Sequence, residues 1–348
     1  MIPLSTSSSN FAVSSDTDFD SQNFLSFFET FLSDLLDTLD VSIRELAKHV
    51  CLGGGKRIRP FLVYTCGVGK TSTEDLLKAS AVIELIHVAT LVHDDIIDLA
   101  SLRRGKETLH SQFGDYPAIL IGDALFSFAL ELATDFPCTK ICKIVSTATR
   151  KTCTGEIQQN FSVGDFSLSR EDYFSIIQNK TGELFNASCS IGSFLAGADE
   201  NLIELVGDFG TSLGLNYQIY DDLVDTFGNH SKFGKTLGTD FESGKITLPL
   251  ITLMESVTSS EKDSLISSLK VIKQDFEFRN YLGELFKLYN IQQTCVAELK
   301  KQFNQSKLIA SNIPDNELSV RLLTFIESFD FKIGNLTNHS DPNFLALN

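Results

Sequence analysis

The sequence contains no tryptophan, and its 348 residues include only seven prolines. None of these lies between Pro137 and Pro249. Helix interiors exclude proline, because it lacks the backbone N–H and clashes with the preceding turn. Glycine is also modest in number, at 22 residues, which excludes collagen-like and proline-rich architectures. The long stretch without proline therefore favours long helices.

Lysine and arginine are scarce relative to the acidic residues. The chain has 29 basic and 45 acidic side chains, giving a formal net charge of −16 and a pI near 4.8. Sequence-independent binding of nucleic acid needs a basic face, so a nucleic-acid partner is not expected. Docking on anionic lipid through a polybasic patch is disfavoured for the same reason.

Long apolar runs are missing as well. No stretch of 18 or more consecutive apolar residues occurs, so we expect no membrane span. The N-terminus lacks the early basic residue and apolar segment of a secretory signal, and the arginine of a mitochondrial transit peptide. The seven cysteines are odd in number and widely spread, which is atypical of a disulfide scaffold. We expect reduced thiols and a cytoplasmic protein.

The remaining composition, with 43% hydrophobic residues, predicts a folded core. Residues 1–21 are serine-rich with three aspartates and no basic residue, and are predicted to be a disordered tail. Residues 334–348 are predicted to be a poorly ordered C-terminal tail. Between them, residues 22–333 are expected to form a single all-α domain. Apolar residues recur with helical spacing in the segments 24–39, 76–99, 120–133, 141–159, 173–195 and 202–227.

Two acidic clusters of the form DDxxD interrupt these apolar segments. They are Asp94-Asp95-Ile96-Ile97-Asp98 and Asp221-Asp222-Leu223-Val224-Asp225. The first and last aspartates of each cluster lie one helical turn apart, so their like charges share a face and repel. A single acidic cluster is usually a solvated surface. Two copies in weakly charged helices instead indicate a divalent cation, and carboxylate oxygens suit Mg²⁺.

The few basic residues cluster near these motifs. Lys56, Arg57 and Arg59 follow a run of three glycines, and Arg103-Arg104 follow the first acidic motif. Further lysines flank the second motif at positions 180, 235 and 245. Arginine forks and lysine ammonium groups are the usual binders of phosphate oxygens. Acidic clusters for metal and cations for phosphate together suggest a diphosphate substrate.

A nucleotide-binding P-loop is the obvious alternative for the segment from Gly228 to Gly234 followed by Lys235 and Thr236. Five residues separate these glycines, whereas the motif requires four. The segment also follows a predicted helix rather than a strand. The other candidate, GGGKR at 53–57, lacks the serine or threonine of the motif, so the P-loop interpretation is disfavoured.

The ordered set of motifs resembles the trans-isoprenyl (polyprenyl) diphosphate synthases over about residues 22–330. The matching segments are GGGKRIRP at 53–60, HVATLVHDDIID at 87–98, RRG at 103–105, GD at 122–123, GEIQQ at 155–159, KTGELF at 180–185, YQIYDDLVD at 217–225, GKTLGTD at 234–240 and GKITLP at 244–249. The resemblance implies a single large helical bundle of the isoprenoid synthase type with a central cavity. It also implies a homodimer.

The resemblance implies a role for each matching residue. Asp94 and Asp98 would bind two Mg²⁺ ions, and Asp221, helped by Asp225, would bind a third. Asp95 and Asp222 would support these ligands. The residues that would hold the diphosphate of isopentenyl diphosphate are Lys56, Arg59, His87 and Arg104. Those that would hold the allylic diphosphate are Arg103, Lys180, Lys235 and Lys245. Thr181 and Gln218 would line the reacting centre, and the catalytic set would be Asp94, Asp98, Arg103, Lys180, Asp221 and Lys235.

The implied reaction is ionisation of an allylic prenyl diphosphate followed by head-to-tail condensation with isopentenyl diphosphate. The product is expected to be C20 or longer, because Ala89 and Thr90 lie about one turn below Asp94 and are small. Short-chain members of the family typically carry an aromatic residue at this level. The alternative is that Ala89 only permits close helix packing.

Three other functions remain open at this point. A class I terpene cyclase also ionises an allylic diphosphate, but it needs no second diphosphate pocket. A silent regulatory subunit of a prenyl synthase usually loses an acidic motif, and both are intact here. A purely structural helical scaffold gives no reason for paired acidic motifs.

Overall fold

The computed structural model describes residues 21–228, 238–271 and 276–337. The predicted ligand Lys235 and most of both predicted tails lie outside these residues. The N-terminal half contains the helices α1 (Ser21–Leu36), α2 (Val41–Cys51), α3 (Ile58–Gly67), α4 (Thr73–Ile97), α5 (Leu109–Phe113), α6 (Asp115–Thr134) and α7 (Lys140–Phe161). A two-stranded hairpin, β1 (Leu102–Arg103) and β2 (Lys106–Glu107), lies between α4 and α5.

The second half of the chain is also helical. Its elements are α8 (Arg170–Ile177), a π-helical turn (Gln178–Gly182), α9 (Glu183–Leu195), α10 (Glu200–Phe227), α11 (Thr239–Ser243), α12 (Leu248–Ser256), α13 (Ser259–Val271), α14 (Phe276–Leu288), α15 (Ile291–Ser311) and α16 (Asn316–Thr337). The predicted all-α fold is confirmed. The last helix runs to Thr337, beyond the boundary of 333 expected from the sequence.

Helix α4 is the central helix of the first half and carries the first acidic motif at its C-terminal end. Its N-cap Ser72 accepts a hydrogen bond from the backbone N–H of Asp75, and Glu74 and Asp75 occupy the first turn, where negative charge is favourable. The helix is apolar nearly all round, and it packs against α1, α2, α3, α5, α6 and α9. Its 25 residues span about 37 Å, so it crosses the whole bundle.

The hairpin after α4 turns the chain back toward the bundle. Leu102 pairs with Glu107 and Arg103 with Lys106. The two turn residues, Arg104 and Gly105, have positive φ angles of 52° and 75°, as a tight hairpin turn requires. Strands of two residues are too short to give an alternating pattern, so the sequence did not predict this hairpin.

The predicted helix over 173–195 contains a π-helical turn at Gln178–Gly182, which presents Lys180 and Thr181. Neighbouring backbones approach this turn closely. A Cβ atom added to Gly155 of α7 would lie 2.3 Å from the backbone N of Lys180, and one on Gly214 of α10 would lie 2.7 Å from Cα of Gly182. Since a side chain at either position would displace the turn, both glycines help to fix it between α7 and α10.

Two helices, α4 and α6, are long and apolar enough to cross a membrane by length and composition, within the described part of the chain. Of their most apolar windows, 67% is buried in the fold for α4 and 39% for α6. The core helix of a soluble protein passes the same test, so this finding is weak evidence. The expected absence of a membrane span stays a prediction, and α6 retains an exposed apolar face.

Candidate active site

The first acidic motif lies at the C-terminal end of α4, with its aspartates on two adjacent faces. Asp98 Oδ2 accepts a 3.0 Å hydrogen bond from Lys245 Nζ, although the two residues are 147 positions apart. Asp95 is buried, and its Oδ1 lies 2.7 Å from both Nε and Nη2 of Arg103. The predicted supporting residue therefore holds one of the predicted diphosphate ligands.

The second acidic motif lies at the end of α10. Asp225 is buried, and its carboxylate accepts hydrogen bonds from the backbone N–H groups of Thr239 and Asp240 at 3.3 and 3.1 Å. Asp225 thereby anchors the start of α11. Asp221 is exposed. It nevertheless lies close enough to Asp240 for its charge to raise the pKa of that carboxyl.

Two lysines lie between the acidic motifs. Lys180 Nζ contacts Glu156 Oε2 at 2.5 Å and Gln159 Oε1 at 2.7 Å. The charge of Lys180 also favours ionisation of both Asp94 and Asp240. Lys245 acts in the same way on Asp240 and donates to Asp98. Both ammonium groups therefore lie between the first motif and Asp240, whose backbone N–H donates to Asp225, and the fold brings the two motifs into one site.

The surroundings of two carboxyl groups in this site, those of Asp94 and Asp240, disfavour their ionised form. Burial, the charge of Glu156 and that of Asp98 raise the pKa of Asp94 to about 7, against the opposing effect of Lys180. Burial and the charge of Asp225 likewise raise the pKa of Asp240 to about 7. Such crowded oxygen donors fit a hard divalent cation, whose charge relieves their repulsion. Among the described residues, no three His, Cys, Asp or Glu side chains are already gathered as ligands.

A second group of side chains lies beside α4. This group, which we call the cationic wall, consists of Arg59, His87, Lys56 and Arg104. Arg59 Nη1 lies 3.1 Å from His87 Nε2, and the Arg59 guanidinium lies 4.6 Å from the ring centroid of Phe185. Because arginine only donates, the His87 Nε2 atom accepts and its proton is on Nδ1. Burial and the charge of Arg59 hold the pKa of His87 well below its usual range, so the imidazole is neutral.

Lys56 and Arg104 are the remaining members of this wall, and neither forms an ion pair with an acidic side chain of the described residues. Lys56 Nζ lies 5.6 Å from the ring centroid of Tyr217. Arg104 makes no hydrogen bond or ion pair with any residue that the structure describes. A Cβ atom on Gly55 would lie 2.7 Å from Arg104 Nη1, so the glycine lets this guanidinium pack on the loop backbone. The wall thus offers cationic groups available to an anion.

Comparison with known proteins identifies the family. The polyprenyl synthetase family profile matches residues 40–287. This chain belongs to the polyprenyl synthetase family. A short chain isoprenyl diphosphate synthase of Methanocaldococcus jannaschii is 36% identical over 235 residues, which cover 66% of this chain and 72% of that protein. The octaprenyl diphosphate synthase of Escherichia coli is 34% identical over 230 residues, covering 66% and 71%.

Solved structures of polyprenyl synthetases show the same fold. A polyprenyl synthase of Caulobacter crescentus, complexed with calcium and isoprenyl diphosphate, is 31% identical with a TM-score of 0.80, covering 89% of this chain and 94% of that one. A decaprenyl diphosphate synthase of Rhodobacter capsulatus gives a TM-score of 0.81 at 25% identity, covering 91% and 97%. The isoprenoid-synthase bundle expected from the sequence is confirmed.

The two residues predicted to line the reacting centre of this polyprenyl synthetase belong to one hydrogen-bonded chain. Thr181 Oγ1 donates to Gln218 Oε1 at 2.8 Å, and Gln218 Nε2 donates to Asp222 Oδ1 at 2.8 Å. The π-helical turn and α10 therefore meet through side chains that the sequence placed in two separate motifs. Asp222 fixes the orientation of the Gln218 amide.

The two predicted chain-length residues of the synthetase have different surroundings. Thr90 is half-buried on the same face of α4 as Asp94, and its hydroxyl donates to the carbonyl of His87 at 2.7 Å. Ala89 is fully buried in an apolar cluster. It lies one turn before His93, whose Nε2 contacts the carbonyl of Ile119 in α6 at 3.2 Å. His93 thus packs against α6, where its ring also lies 5.8 Å from the ring centroid of Phe126.

Sequence reasoning assigned no role to several residues that the fold brings into the site. Glu156 and Asp240 lie inside two of the matching segments, GEIQQ at 155–159 and GKTLGTD at 234–240. Their negative charge was the only sequence signal that could have marked them as neighbours of Lys180 and Lys245. Glu84 was detectable as a lone acid in the apolar run of α4, where a buried charge requires a partner. Tyr173, which contacts Asp222, carried no sequence signal.

Proposed function

We propose that this synthetase condenses isopentenyl diphosphate with an allylic diphosphate, head to tail and in the trans geometry, to give a polyprenyl diphosphate. The observation that carries this proposal is the division of charge in the site. Lys180 and Lys245 lie between the first acidic motif and Asp240, which contacts Asp225 of the second motif, and a separate wall of cations lies beside α4. Two diphosphate groups held a short distance apart are what a condensation of two diphosphate substrates requires.

The acidic motifs are the proposed Mg²⁺ ligands. Asp94 and Asp98 would hold two ions, and Asp221 with Asp225 a third. The raised pKa of Asp94 supports this assignment, because a cation would offset the burial of this carboxyl and the nearby charges of Glu156 and Asp98, which disfavour its ionised form. Bound Mg²⁺ would supply Lewis-acid stabilisation of the leaving diphosphate. Lys180, Lys245 and Arg103, with Lys235 beyond the described residues, would hold the same diphosphate.

The cationic wall is the proposed pocket for isopentenyl diphosphate. Arg59 supports this role through a buried Nε atom that has no hydrogen-bond partner among the described residues. Lys56 and Arg104 would supply further donors, and neutral His87 would donate through Nδ1. When the allylic C–O bond breaks, the double bond of isopentenyl diphosphate attacks the carbocation. The departed diphosphate, held nearby, then removes the proton, so no protein base is required.

Thr181 and Gln218 are proposed to line the reacting centre. The oxygen atoms of both side chains belong to a chain of hydrogen bonds that ends at Asp222. These hydrogen bonds orient the side chains in advance, so the side chains need not reorganise during the reaction. Such preorganised dipoles favour a developing positive charge. The cyclase alternative does not use the second cationic wall, and the regulatory-subunit and scaffold alternatives do not use two intact acidic motifs.

The proposed product is C20 or longer. Thr90 and Ala89 are small, so no aromatic ring at this level of α4 would stop a chain growing below Asp94. We further propose a homodimer formed through α6, whose Tyr116, Leu120 and Leu130 are 85%, 66% and 44% exposed. Exposed apolar faces of this kind mark interaction surfaces. A cytoplasmic location is also proposed.

The direct test is an assay with radiolabelled isopentenyl diphosphate, Mg²⁺ and allylic primers of several lengths. Asp94→Ala and Asp221→Ala are each expected to lower turnover by several orders of magnitude, because the metals carry most of the leaving-group stabilisation. Asp34→Ala, at an exposed position of α1, is the control and is expected to leave turnover unchanged. Hydrocarbon release without isopentenyl diphosphate would support the cyclase instead. Near-normal turnover in either active-site variant would refute the proposal.

A further inference from the structure

Arg57 is the one arginine of the glycine-rich segment 53–60 that does not face the cationic wall. Its side chain is 2% exposed, and each nitrogen of its guanidinium has a partner. Nε and Nη2 form a fork with the two carboxylate oxygens of Glu29 at 2.7 and 3.2 Å. Nη1 donates to Glu84 Oε1 at 2.5 Å, and Nη2 also donates to the carbonyl of Cys51 at 2.6 Å. This arginine is therefore fully occupied.

These partners come from three different helices. Glu29 lies in α1, Cys51 ends α2 and Glu84 lies in the middle of α4, while Arg57 itself precedes the first residue of α3. The backbone of Arg57 is left-handed, with φ 47° and ψ 37°, which L-residues adopt only at an energetic cost. Strained backbone persists where its surroundings over-determine it. The four hydrogen bonds of the guanidinium provide that constraint.

The residues on either side of Arg57 are proposed diphosphate ligands. Lys56 precedes it directly, and Arg59 lies in the first turn of α3, so the backbone at Arg57 sets the direction from which both enter the pocket. Gly55 packs on the guanidinium of Arg104, which links the same loop to the hairpin. A shift of this loop would consequently move three cations at once.

Glu84 has the buried position that such an anchor needs. It is 4% exposed and lies three residues before His87 on α4. A second arginine–carboxylate pair occurs about three turns further along the helix, where buried Asp95 holds Arg103. The Arg103 side chain is 38% exposed, whereas that of Arg57 is 2% exposed, so Arg103 stays within reach of a substrate and Arg57 does not.

We propose that Arg57, held by Glu84 and Glu29, is a positioning residue that sets the geometry of the isopentenyl diphosphate pocket without contacting the substrate. The inference rests on the proposed function, since it assigns Arg57 to the pocket of one of the two substrates. It separates the three cations of the segment 56–59 into two ligands and one structural anchor.

The test compares Arg57→Lys with Arg170→Lys in the full chain. Lysine keeps the charge but loses the fork, which is not a conservative change at a bidentate site. Arg170 is a matched control, because its Nη2 pairs with Glu255 at 2.6 Å in a different region. Arg57→Lys is expected to raise the KM for isopentenyl diphosphate by about ten-fold, while kcat and the allylic KM change by less than about three-fold. Arg170→Lys is expected to change none of these.

Two further measurements separate positioning from general loosening of the fold. Glu29→Gln, at a partly exposed partner, is expected to fold normally and to raise the same KM by a smaller factor. Calorimetry with isopentenyl diphosphate in EDTA reports on the cationic pocket alone, and Arg57→Lys is expected to weaken this binding. Equal increases of both KM values, or an unchanged KM for isopentenyl diphosphate in Arg57→Lys, would overturn the inference. Wild-type protein that binds isopentenyl diphosphate in EDTA but condenses it with no allylic primer when Mg²⁺ is supplied would overturn the proposed function and leave the pocket assignment standing.

Discussion

Tyr173 Oη donates a 2.7 Å hydrogen bond to Oδ2 of Asp222, which is 49 residues away in the sequence. Both side chains are buried, and the second oxygen of Asp222 accepts from Gln218. Burial raises the pKa of Asp222 well above its usual range, while these two hydrogen bonds act in the opposite direction. Helix α8 thus fixes the second acidic motif, although its own sequence contains no part of that motif.

Removing the Tyr173 hydroxyl is therefore expected to affect both stability and turnover. Tyr173→Phe leaves a buried carboxyl oxygen of Asp222 without its donor, at a cost of about 1–3 kcal/mol in the free energy of unfolding. Turnover should fall because Gln218 is less firmly oriented. The control is Tyr289→Phe, which removes a 3.0 Å hydrogen bond to Glu261 at the surface and is expected to lower the free energy of unfolding much less. Equal losses for the two variants, measured by urea unfolding, would contradict the role given to Tyr173.

The metal-free protein should lose stability as the pH rises from about 4 to 7. The pKa of Asp94 is about 7 in the folded chain and near 3.8 when exposed, so the folded state binds more protons in this window. Unfolding then becomes easier with rising pH. Asp94→Asn should have a higher Tm than wild type at pH 8 in EDTA, with little difference at pH 4. The exposed Asp34→Asn serves as the control, and a wild-type Tm independent of pH would argue against the burial of this charge.

The two diphosphate sites should respond to different substitutions. Arg104→Ala and Lys56→Ala are expected to raise the KM for isopentenyl diphosphate more than the KM for the allylic primer. Arg103→Ala is expected to do the reverse, and also to lower stability because buried Asp95 loses its partner. The measurement is a pair of KM values for each variant. If each substitution raises the KM values of both substrates equally, the assignment of two separate diphosphate sites is wrong.

Product length should depend on the size of the side chains of α4 that lie about one turn before Asp94. Ala89→Phe is expected to shorten the product toward C15 while ionisation of the primer continues, because the ring fills space that further isoprene units need. Thr73→Phe, exposed at the start of the same helix, is the control and should leave the product unchanged. Chromatography of the dephosphorylated products decides the outcome. Wild-type enzyme that stops at C15 with every primer would refute the proposed length.

The exposed face of α6 should be required for dimerisation. Leu120→Glu introduces a charge where the proposed partner subunit packs, and is expected to give a monomer in light scattering. Leu308→Glu makes the same change at a leucine of α15 that is 55% exposed, and should leave the mass unchanged. If the wild-type protein is an active monomer in light scattering, the proposed homodimer is wrong.

Several features of this protein follow from local sequence alone. The apolar periodicity of residues 76–99 predicted α4, and the spacing of Asp94 and Asp98 predicted that they share a face. Both predictions hold because helix formation and side-chain direction depend on residues three and four positions apart. The order of the motifs also predicted the family, which the comparisons confirm.

Other features depend on contacts between distant segments. Lys56, Arg57 and Arg59 are alike in charge and close together in the sequence, and it is the packing of α1 and α4 around Arg57 that distinguishes the proposed anchor from its neighbours. The π-helical turn at Gln178–Gly182 has its place because backbones of α7 and α10 approach it closely. No local pattern encodes such contacts.

The sequence by itself determined which residues carry charge and, for those inside helices, which helical face each one occupies. The tertiary structure decided which charges are paired, as for Lys245 with Asp98 and Arg103 with Asp95, and which stay available to a substrate. The physical reason is that pairing depends on distance and burial, and both are set by the packing of helices far apart in the chain.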